Sequence, residues 1–556
     1  MSNCLQLKKS NCKNCYKCIR NCPVKSIRFS ENQANIVTDE CILCGKCFVS
    51  CPQHAKNIRN DVAKVKEFIA SSRPVYASIA PSFVANYNGI SMGSLRNALK
   101  KLGFAGAEET AIGAAVVKKQ YEKIISERKN NVIISSCCHS VNLLIQKHRP
   151  EALPYLAKVM SPMQVSCKIL KEQHPGCYTV FIGPCIAKKD EAETYPGITD
   201  CVLTFEELTE WLEGENIEFE ESVDLDEKGR TRIFPTAGGI IRSMDLDPEF
   251  QYISIDGVEN CLSAIDDICS GNLANCFIEM SACTGSCIGG PVMSRTHRNP
   301  VKDYVLVNKS SGRSDFSNGL GDINIARNFE YIGKSLTMPG SSAITAILHK
   351  MGKLSKEQEL NCGSCGYNTC REKAVAVLMG KADLTMCLPY LKERAESFSD
   401  KIINNSPNGI MVLNEKLEIQ QINNAGLKIL NKTDMSSVMG KPVDIFLDPE
   451  DYWLALGDEK NTYRKRKYLA GCKKYVEETV IYDRTYHIII SIMEDITEEE
   501  TSKIIRAKKI EQAVEITDKV VEKQMRLVQE IASLLGESTA ETKIALTRLK
   551  ETLVDE

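Results

Sequence analysis

The chain has 556 residues, which is too long for one hydrophobic core and predicts roughly three to five domains. Its net charge of −2 and its charged fraction of 26% exclude a general electrostatic attraction to nucleic acid. The unusual feature is a content of 25 cysteines. The opening MSNCLQLKKS lacks the apolar segment of a secretion signal, and no stretch reaches the roughly 20 apolar residues that span a membrane. We therefore expect a cytoplasmic protein that binds neither membranes nor nucleic acid, and whose clustered thiols bind metal rather than form disulfides.

Residues 1–62 contain two cysteine runs, NCKNCYKCIRNCPV and ECILCGKCFVSCPQ. Each has the spacing C-x2-C-x2-C-x3-C-P of bacterial dicluster ferredoxins, in which three close thiolates bind one cubane and the fourth crosses to the other. A pair of zinc knuckles would not require two full repeats with a trailing proline. We therefore predict a ferredoxin-like dicluster domain for electron transfer. Its first 4Fe-4S cluster would be bound by Cys12, Cys15, Cys18 and Cys51, and its second by Cys41, Cys44, Cys47 and Cys22.

Residues 63–346 have the alternating strand and helix pattern of an α/β domain. The runs RPVYASIAPS, NVIISSCC and CYTVFIGPC predict strands that each end at a turn with small residues or cysteine. Loops that follow strands are where an α/β sheet binds its ligands. Three loops of this domain contain thiols: SSCCHS, GPCIAKKDEAE and EMSACTGSCIGG. Four ligands drawn from three distant loops must converge in a buried cavity.

These three loops resemble the signature segments of the FeFe-hydrogenases, and the ferredoxin module fits the same family. The resemblance implies that Cys138, Cys185, Cys283 and Cys287 hold a 4Fe-4S cubane. It also implies that Cys287 bridges this cubane to a diiron subsite with CO, cyanide and an azadithiolate, the two parts together forming an H-cluster. The glycines beside Cys283 and Cys287 would let the backbone approach so bulky a group.

The same resemblance implies roles for side chains around the cluster. Cys137 resembles the thiol that passes protons to the bridging amine, a task that suits a thiol with a pKa near neutral. Lys188 matches the lysine that donates to one cyanide, and Ser82 resembles the hydroxyl beside the other. Phe234, in FPTAGGI, and the run RTHRNP match further segments around the pocket.

Several positions depart from the catalytic enzymes of the family. Gly183 and Ser281 stand where those enzymes have methionine, so we expect more space beside the diiron site and count Ser281 among the site residues. Their proton-relay serine corresponds here to Ala157, which cannot carry a proton, and His139 stands where a proline is usual. We therefore expect slow turnover. The acids that could form another proton path, or simply lie at the surface, are Glu108, Glu109 and Glu279.

Residues 347–394 contain a third cysteine-rich module. The ligand spacing is C-x2-C-x4-C-x16-C, and the segment REKAVAVLMGKA has helical periodicity, so the fourth ligand lies beyond a helix. This spacing resembles a small 4Fe-4S domain of redox chains, although four thiolates would also bind structural zinc. The four ligands are Cys362, Cys365, Cys370 and Cys387.

Residues 395–498 resemble a PAS sensor domain. The run IINNSPNGIMVLNEKLEIQQINNAGLKILN predicts a helix, two strands and a second helix, and YHIIISIMEDITEEE resembles the last PAS strand with its exit helix. No heme or flavin signature is present, and Cys472 is predicted to be an ordinary core or surface residue. The basic run RKRKY predicts a solvated strand edge.

Residues 499–556 predict a coiled-coil helical hairpin. Apolar residues recur in alternating steps of four and three, which indicates a dimer seam. The segment GEST predicts a turn into a second helix, similar to the dimerisation hairpin of sensor histidine kinases. No histidine follows His487, so the segment cannot autophosphorylate. The seam residues are Ile510, Val514, Thr517, Val521, Gln524, Val528, Ile531 and Leu535.

Together these features predict a multidomain α/β and α+β protein that is similar to sensory FeFe-hydrogenases. It would oxidise H2 or reduce protons slowly and pass the redox signal through its 4Fe-4S clusters to the PAS domain. The expected partners are H2 and protons, an electron carrier such as ferredoxin, a second copy of the chain, and a separate kinase or phosphatase. Two alternatives remain: an ordinary ferredoxin-linked hydrogenase, and a non-catalytic iron–sulfur redox or scaffold protein.

Overall fold

A computed structural model describes residues 4–8, 11–222, 227–293, 299–316, 323–334, 338–457 and 462–554. The chain divides into two compact units, Met1–Leu391 and Lys392–Glu556. Within the described residues, no helix has the length and apolar character needed to cross a membrane.

The N-terminal part of the first unit consists of short elements around the two predicted ferredoxin clusters. Two antiparallel strand pairs flank two single-turn helices, and each helix begins after a residue in the left-handed region, Tyr16 and Gly45. This places the first three cysteines of each run on a loop and the start of a helix. The elements are β1 (Leu5–Leu7), α1 (Lys17–Arg20), β2 (Ile27–Ser30), β3 (Gln33–Ile36), α2 (Lys46–Val49) and β4 (Lys56–Ile58).

The α/β part contains two separate parallel sheets, with strand orders β6-β5-β8-β9 and β10-β11-β7. Five of these strands are almost fully buried, as expected of parallel sheets, whereas the edge strands β6 and β10 are partly exposed and contain polar residues. The strands are β5 (Val75–Ile79), β6 (Gly106–Glu109), β7 (Val132–Ile134), β8 (Tyr178–Gly183), β9 (Cys201–Thr204), β10 (Gln251–Asp256) and β11 (Cys276–Ser281). The α/β prediction and its three strand segments are confirmed.

Eleven helices of the described residues follow or connect these strands. They are α3 (Val62–Ala70), α4 (Phe83–Asn86), α5 (Met92–Lys101), α6 (Thr110–Ser126), α7 (His139–His148), α8 (Pro162–Gln173), α9 (Ala187–Thr194), α10 (Phe205–Gly214), α11 (Gly239–Ser243), α12 (Val258–Cys269) and α13 (Pro300–Ser310). Short 3-10 turns lie at Pro150–Tyr155, Arg230–Ile233 and Ser286–Gly289.

A buried ion cluster joins the end of the ferredoxin part to the first sheet. The ammonium of Lys189, which has no solvent exposure, lies 2.7 Å from a carboxylate oxygen of Asp61 and 2.9 Å from one of Glu207. It also donates to the carbonyl of Val202 at the end of β9. One buried charge thus connects α9, β9, α10 and the start of α3, and fixes the base of α9.

The remaining helices of the first unit form the third cysteine-rich module. They are α14 (Ser341–Lys350) and α15 (Cys370–Leu378), with 3-10 turns at Lys356–Gln358 and Leu384–Met386. The predicted helix after the third cysteine is confirmed, and Cys387 lies beyond it. Helix α16 (Leu388–Asn405) begins directly after Cys387 and continues into the second unit.

The second unit contains a five-stranded antiparallel sheet with the order β13-β12-β16-β15-β14. The RKRKY run lies in β14, an edge strand of this sheet, and three of its side chains are at least half exposed, which confirms the predicted solvated edge. The elements are β12 (Gly409–Asn414), β13 (Ile419–Ile422), α17 (Asn424–Ile429), α18 (Glu450–Gly457), β14 (Thr462–Leu469), β15 (Lys474–Asp483) and β16 (Ile488–Asp495).

The C-terminal segment forms one continuous helix, α19 (Thr497–Val554), of 58 residues. The predicted hairpin with a turn at GEST is therefore wrong. Gly536 disfavours a helix by only about 1 kcal/mol, and no proline follows it to stop the hydrogen-bond ladder. The good helix formers on both sides outweigh that penalty. A coiled-coil seam remains compatible with the long helix, because Ile510, Val521 and Leu535 are all exposed.

We expect a long intrachain distance between labels at Lys523 and Arg548. A continuous helix separates these positions by about 38 Å, whereas a hairpin that turns at GEST would bring them to about 10 Å. The measurement is pulsed electron–electron double resonance between two spin labels. The labels are attached through unnatural amino acids, so that the native thiols do not react. Labelled chains are diluted with unlabelled ones, and a dominant short distance would contradict the single helix.

Candidate metal centre and active site

The three cysteine loops of the α/β part lie at the carboxyl ends of strands from both sheets. Cys138 follows β7, and Cys283 follows β11, its parallel neighbour, so the two loops leave the same sheet edge. A hydrogen bond from the Met280 N–H to the Ser135 hydroxyl, 3.1 Å, ties these loops together. Cys185 follows β8 of the other sheet. The site is therefore built between the two sheets.

Electrostatics show that the four thiols converge. Burial raises the pKa of Cys283 well above its usual value, and the neighbouring Cys185, Cys138 and Cys287 raise it further. Burial, followed by Cys185 and Cys138, raises the pKa of Cys287 to about 12. Thiols crowded together away from water resist ionisation, and a cationic iron centre reverses this because its ligands bind as thiolates. This donor set fits a 4Fe-4S cluster.

The glycines of the last loop are required by the backbone itself. Gly285 lies in the left-handed region with φ +80°. A Cβ at Gly289 would lie 1.9 Å from the carbonyl oxygen of Thr284, and one at Gly290 would lie 2.6 Å from that of Pro184. Gly290 thus seats this loop against the residue before Cys185. The contact between two ligand loops is a second reason for glycine here, and the approach of this backbone to a cluster stays a prediction.

A cavity of about 120 Å³ adjoins the converging thiols. It is lined by Cys138, Cys185 and Cys287. The side chains predicted to surround a diiron subsite also line it: Ser82, Cys137, Lys188, Phe234 and Ser281. The structure thus brings together all five, from separate stretches of sequence.

Two of these side chains present polar atoms that suit a bound acceptor. The hydroxyl of Ser82 is fully buried and has no hydrogen-bond partner among the described residues. The ammonium of Lys188 lies 2.5 Å from a carboxylate oxygen of Glu191 and donates to the carbonyl of Cys137, 3.1 Å away. A buried hydroxyl without a partner is costly, so a ligand that accepts from it is expected in the loaded protein. The cavity fits a group with anionic or cyanide-like acceptors.

Glu191 is a site residue that the sequence reasoning missed. Burial alone would raise its pKa, but Lys188 and then His139 lower it below the usual value, so Glu191 stays ionised. It lies three residues after Lys188 on α9, a spacing that places both on one helix face and could have signalled the pair. Glu191 holds the lysine at the cavity wall.

Cys137 is a half-buried thiol whose sulfur lies 3.2 Å from the Tyr121 hydroxyl. Burial raises the pKa of Cys137 to about 12, although Tyr121 and Lys188 lower it. The role of Cys137 in passing protons stays a prediction. Tyr121 also accepts from the Ser136 backbone N–H at 2.9 Å. This tyrosine, on α6, was not singled out in the sequence because nothing local links it to Cys137.

The positions that depart from the catalytic enzymes differ in their effect. At Gly183 no space is left, because a Cβ there would lie 2.7 Å from the ring of Phe181. Ser281 does face the cavity. Ala157 is buried and donates its backbone N–H to Ile134 of β7, so its place has a structural role. Extra space was expected at Gly183 and Ser281, and the structure leaves it only beside Ser281.

Of the three acids considered for a proton path, only Glu279 lines the cavity. Burial raises its pKa to about 7, against backbone N–H groups of residues 238–241 that lower it. Glu109 forms a buried ion pair with Arg232, and Glu108 lies 3.9 Å from Arg96 at the surface.

His139 forms a buried link between two ligand loops. Its Nε2 lies 2.9 Å from a carboxylate oxygen of Asp190 on α9. His139 directly follows Cys138, and Asp190 lies five residues after Cys185. The substitution of a proline by histidine thus adds a polar contact between the two loops.

The predicted ferredoxin ligands lie beside the central site in an ordered way. Cys44 lies close enough to Cys283 to raise its pKa, and both line one cleft between the two parts. The second ferredoxin site is therefore the one nearest the central thiols. Cys15, a predicted ligand of the first site, is exposed.

The four cysteines of the third module line one small cavity. Lys373 is buried beside it, and burial lowers its pKa to about 8, while Cys365 and Cys387 oppose that shift. A buried cation beside thiols favours their ionised, metal-binding form. Among the described side chains, no three His, Cys, Asp or Glu are close enough to enclose a single metal ion. Of the RTHRNP run, residues 295–298 lie outside the described residues; Cys472 packs at the edge of the second unit's core, as predicted.

Family models match three parts of the chain. Residues 73–291 match the C-terminal domain of the iron-only hydrogenase large subunit. Residues 4–52 match a 4Fe-4S dicluster domain, and residues 358–389 match a model described as an Fe-S cluster. The last match supports iron–sulfur rather than zinc at the third module. The chain is thus an iron–sulfur protein related to the FeFe-hydrogenases.

Individual relatives are distant. The cytosolic Fe-S cluster assembly factor NAR1 of Kluyveromyces lactis is 26% identical over 34% of this chain, which spans 44% of that relative's length. The periplasmic [Fe] hydrogenase large subunit of Nitratidesulfovibrio vulgaris is 24% identical over 44% of this chain and 72% of its own length. The solved structure of an apo [FeFe]-hydrogenase HydA1 from Chlamydomonas reinhardtii matches 50% of this chain and 100% of its own, with 17% identity and a TM-score of 0.41.

Replacement of Cys283 by serine should remove one cubane from the reconstituted protein. A hydroxyl is a poor ligand for iron, so about four of the roughly sixteen irons of four cubanes should be lost. Iron and acid-labile sulfide analysis measures this. The matched control is Cys261→Ser, because Cys261 is buried close to the same thiols but donates to the Ser281 carbonyl, 3.5 Å away. Equal iron in both variants would contradict the ligand assignment.

Proposed function

We propose that this iron–sulfur protein reacts reversibly with H2 at a low rate. The observation that carries the proposal is the cavity beside the converging thiols, where Cys137, Lys188 and Ser82 meet. A protein that only stores or passes on a cubane has no need of a buried lysine and an unpartnered hydroxyl at this place. The relation to the FeFe-hydrogenases supports the same reaction.

An H-cluster held by Cys138, Cys185, Cys283 and Cys287 would supply the redox centre at which H2 and two protons plus two electrons interconvert. The chain would contribute fixed polar groups around it. Lys188, held by Glu191, presents an ammonium at the cavity, and Ser82, which also lines it, offers a hydroxyl. Such preorganised donors need no rearrangement during the reaction.

The remaining side chains keep the cavity dry and hold a proton at its edge. Phe234 contributes an apolar wall. The Cys137 thiol carries its proton at Sγ, within hydrogen-bonding distance of Tyr121. Beyond this step the relay serine is replaced by Ala157, which is consistent with slow turnover.

A second candidate is a non-catalytic iron–sulfur scaffold or redox protein. The observation that favours it is the similarity to relatives whose name gives them a role in cytosolic Fe-S cluster assembly. In that case the central thiols would hold a cubane alone. An ordinary ferredoxin-linked hydrogenase remains the third option, with the exposed edge near Cys15 as the place where a carrier exchanges electrons.

We further propose that the redox state of the clusters is read by the second unit. Its sheet order, β13-β12-β16-β15-β14, supports a PAS domain. The side chain of Asn423 donates to the carbonyls of Ile403 in α16 and Asn408, so the end of α16 is fixed to this domain. Since α16 begins directly after Cys387, the third cluster and the PAS domain share one helix.

The output would proceed through α19. Its exposed apolar seam suits a parallel pair of chains, and a separate kinase or phosphatase would bind the paired helices. The exposed seam residues include Ile510, Val514, Val521, Val528, Ile531 and Leu535.

An infrared spectrum of the matured protein should show CO and cyanide stretches. In Lys188→Met and Ser82→Ala the cyanide bands should shift, because each variant removes a hydrogen-bond donor from the cavity. Lys119→Met, an exposed lysine on α6, is the control and should leave the bands in place. A spectrum without CO and cyanide bands would instead support the scaffold.

Hydrogen–deuterium exchange in α19 should differ between H2 and argon in the matured protein. Any switch requires different interaction energies in its two states, and reduction of the third cluster is the proposed source. In Cys370→Ser, which lacks a ligand of that cluster, the H2-dependent difference should disappear. Identical exchange under both gases in the unaltered protein would count against signalling.

A further inference from the structure

The third cluster module is folded onto the ferredoxin part, although the whole α/β part separates them in sequence. The backbone N–H of Phe29 in β2 donates to the carbonyl of Lys381, 2.8 Å away. The ammonium of Lys381 pairs with Glu40 at 2.5 Å, and both side chains are largely buried. A backbone hydrogen bond and a buried ion pair across one boundary indicate a permanent contact.

The two parts approach most closely at Gly366. This residue lies in the left-handed region with φ +91°, and a Cβ there would lie 3.0 Å from the Cβ of Ile19. The next residue, Tyr367, is 3% exposed and belongs to the same core as Ile19 and Cys22. Burial raises the pKa of Tyr367, and Cys365 and Cys22 raise it further, so thiols of both modules lie near this ring.

Lys25 crosses the same boundary with its charge. Its ammonium donates to the carbonyls of Ile19 and Arg20 at the end of α1, each 3.2 Å away, and to that of Gly366 at 3.0 Å. The side chain is half-buried, and φ of +47° at Lys25 is a conformation that most residues avoid. Burial lowers the pKa of Lys25, and the nearby Cys22 and Cys365 oppose this shift. Lys25 therefore lies between predicted ligands of two different clusters.

A second cation strengthens the contact. The guanidinium of Arg20 donates to the carbonyls of Gly363 at 3.3 Å and Ser364 at 3.2 Å, within the loop between Cys362 and Cys365. Arg20, at the end of α1, and Lys25, in the loop that follows, thus hold the ligand loop of the third module against the ferredoxin part.

We propose that this boundary is an electron-transfer junction, with Lys25 as its positioning residue between the second ferredoxin cluster and the third cluster. The proposal rests on the cubanes of the proposed function but not on its H2 chemistry. Cys22 is a predicted ligand of the second cluster, and Cys44, another, adjoins Cys283 of the central site. Electrons from the central site reach the third cluster through the ferredoxin part, which is a branch point.

The step at the junction moves one electron. With cubanes held by the predicted ligands of the second and third sites, the reduced second cubane would be oxidised and the third reduced, and no bond or proton would be exchanged. Each reduction adds a negative charge, and a cation between the two sites stabilises the reduced form of both. Lys25 therefore makes the third cluster easier to reduce. Its hydrogen bond to Gly366 also holds the third module in place.

The experiment is a potentiometric titration of the full-length reconstituted protein with dithionite, followed by electron paramagnetic resonance. In Lys25→Met the third cluster should be reduced at a more negative potential, and its magnetic coupling to the ferredoxin signals should weaken. Lys25→Arg, which keeps the charge, should restore both. Lys17→Met, which removes an exposed lysine on α1, is the control and should match the unaltered protein.

Unchanged potential and unchanged coupling in Lys25→Met, with full iron content, would overturn the role of Lys25. A second variant covers the case in which Lys25→Met loses iron: Cys370→Ser lacks the third cluster, so the ferredoxin signals should narrow. Identical ferredoxin signals with and without the third cluster would overturn the junction itself. Because dithionite is the reductant, a protein that never reacts with H2 still tests this proposal separately.

Discussion

The central site depends on thiols that are brought together away from water, where their thiolate forms would repel one another. Cys138, Cys185 and Cys283 follow different strands of two sheets, and burial, followed by Cys185 and Cys138, raises the pKa of Cys283. Only a cationic centre relieves this, so the centre and the fold stabilise each other. The contact of His139 with Asp190 links the loops of the two sheets, while the Lys189 ion cluster fixes α9 to the first sheet.

Adjacent residues on α9 divide two tasks between them. Lys189 is directed away from the cavity, into the ion cluster with Asp61 and Glu207. Lys188 is directed into the cavity and is held there by Glu191. Because the buried charge of Lys189 anchors α9, it also fixes the position of the neighbouring Lys188 ammonium at the cavity. A buried ion pair contributes little to stability on average, and here its value is positional.

The sequence predicted those parts of the site that follow from short spacings or from strand ends. Cysteines two or three residues apart must share a loop, and thiols after parallel strands must meet at a sheet edge. Tyr121 could not be found this way, because its contact with Cys137 depends on how α6 packs. Gly183 was misjudged although a signal existed: Phe181 lies two residues earlier on β8, hence on the same face, and its ring fills the space. The predicted hairpin at Gly536 is wrong because a single glycine does not end a helix whose other residues are good helix formers.

The third cysteine module is fixed to the ferredoxin part and is followed in the chain by α16. Its spacing alone suggested an isolated small domain, but Lys25, Arg20 and Lys381 tie it to the ferredoxin part through contacts that no local pattern encodes. The ligand loop is thus fixed on one side, while Cys387 on the other side is followed at once by α16. The described contacts therefore hold the module on its ferredoxin side, and its last predicted ligand, Cys387, is joined through the chain itself to α16.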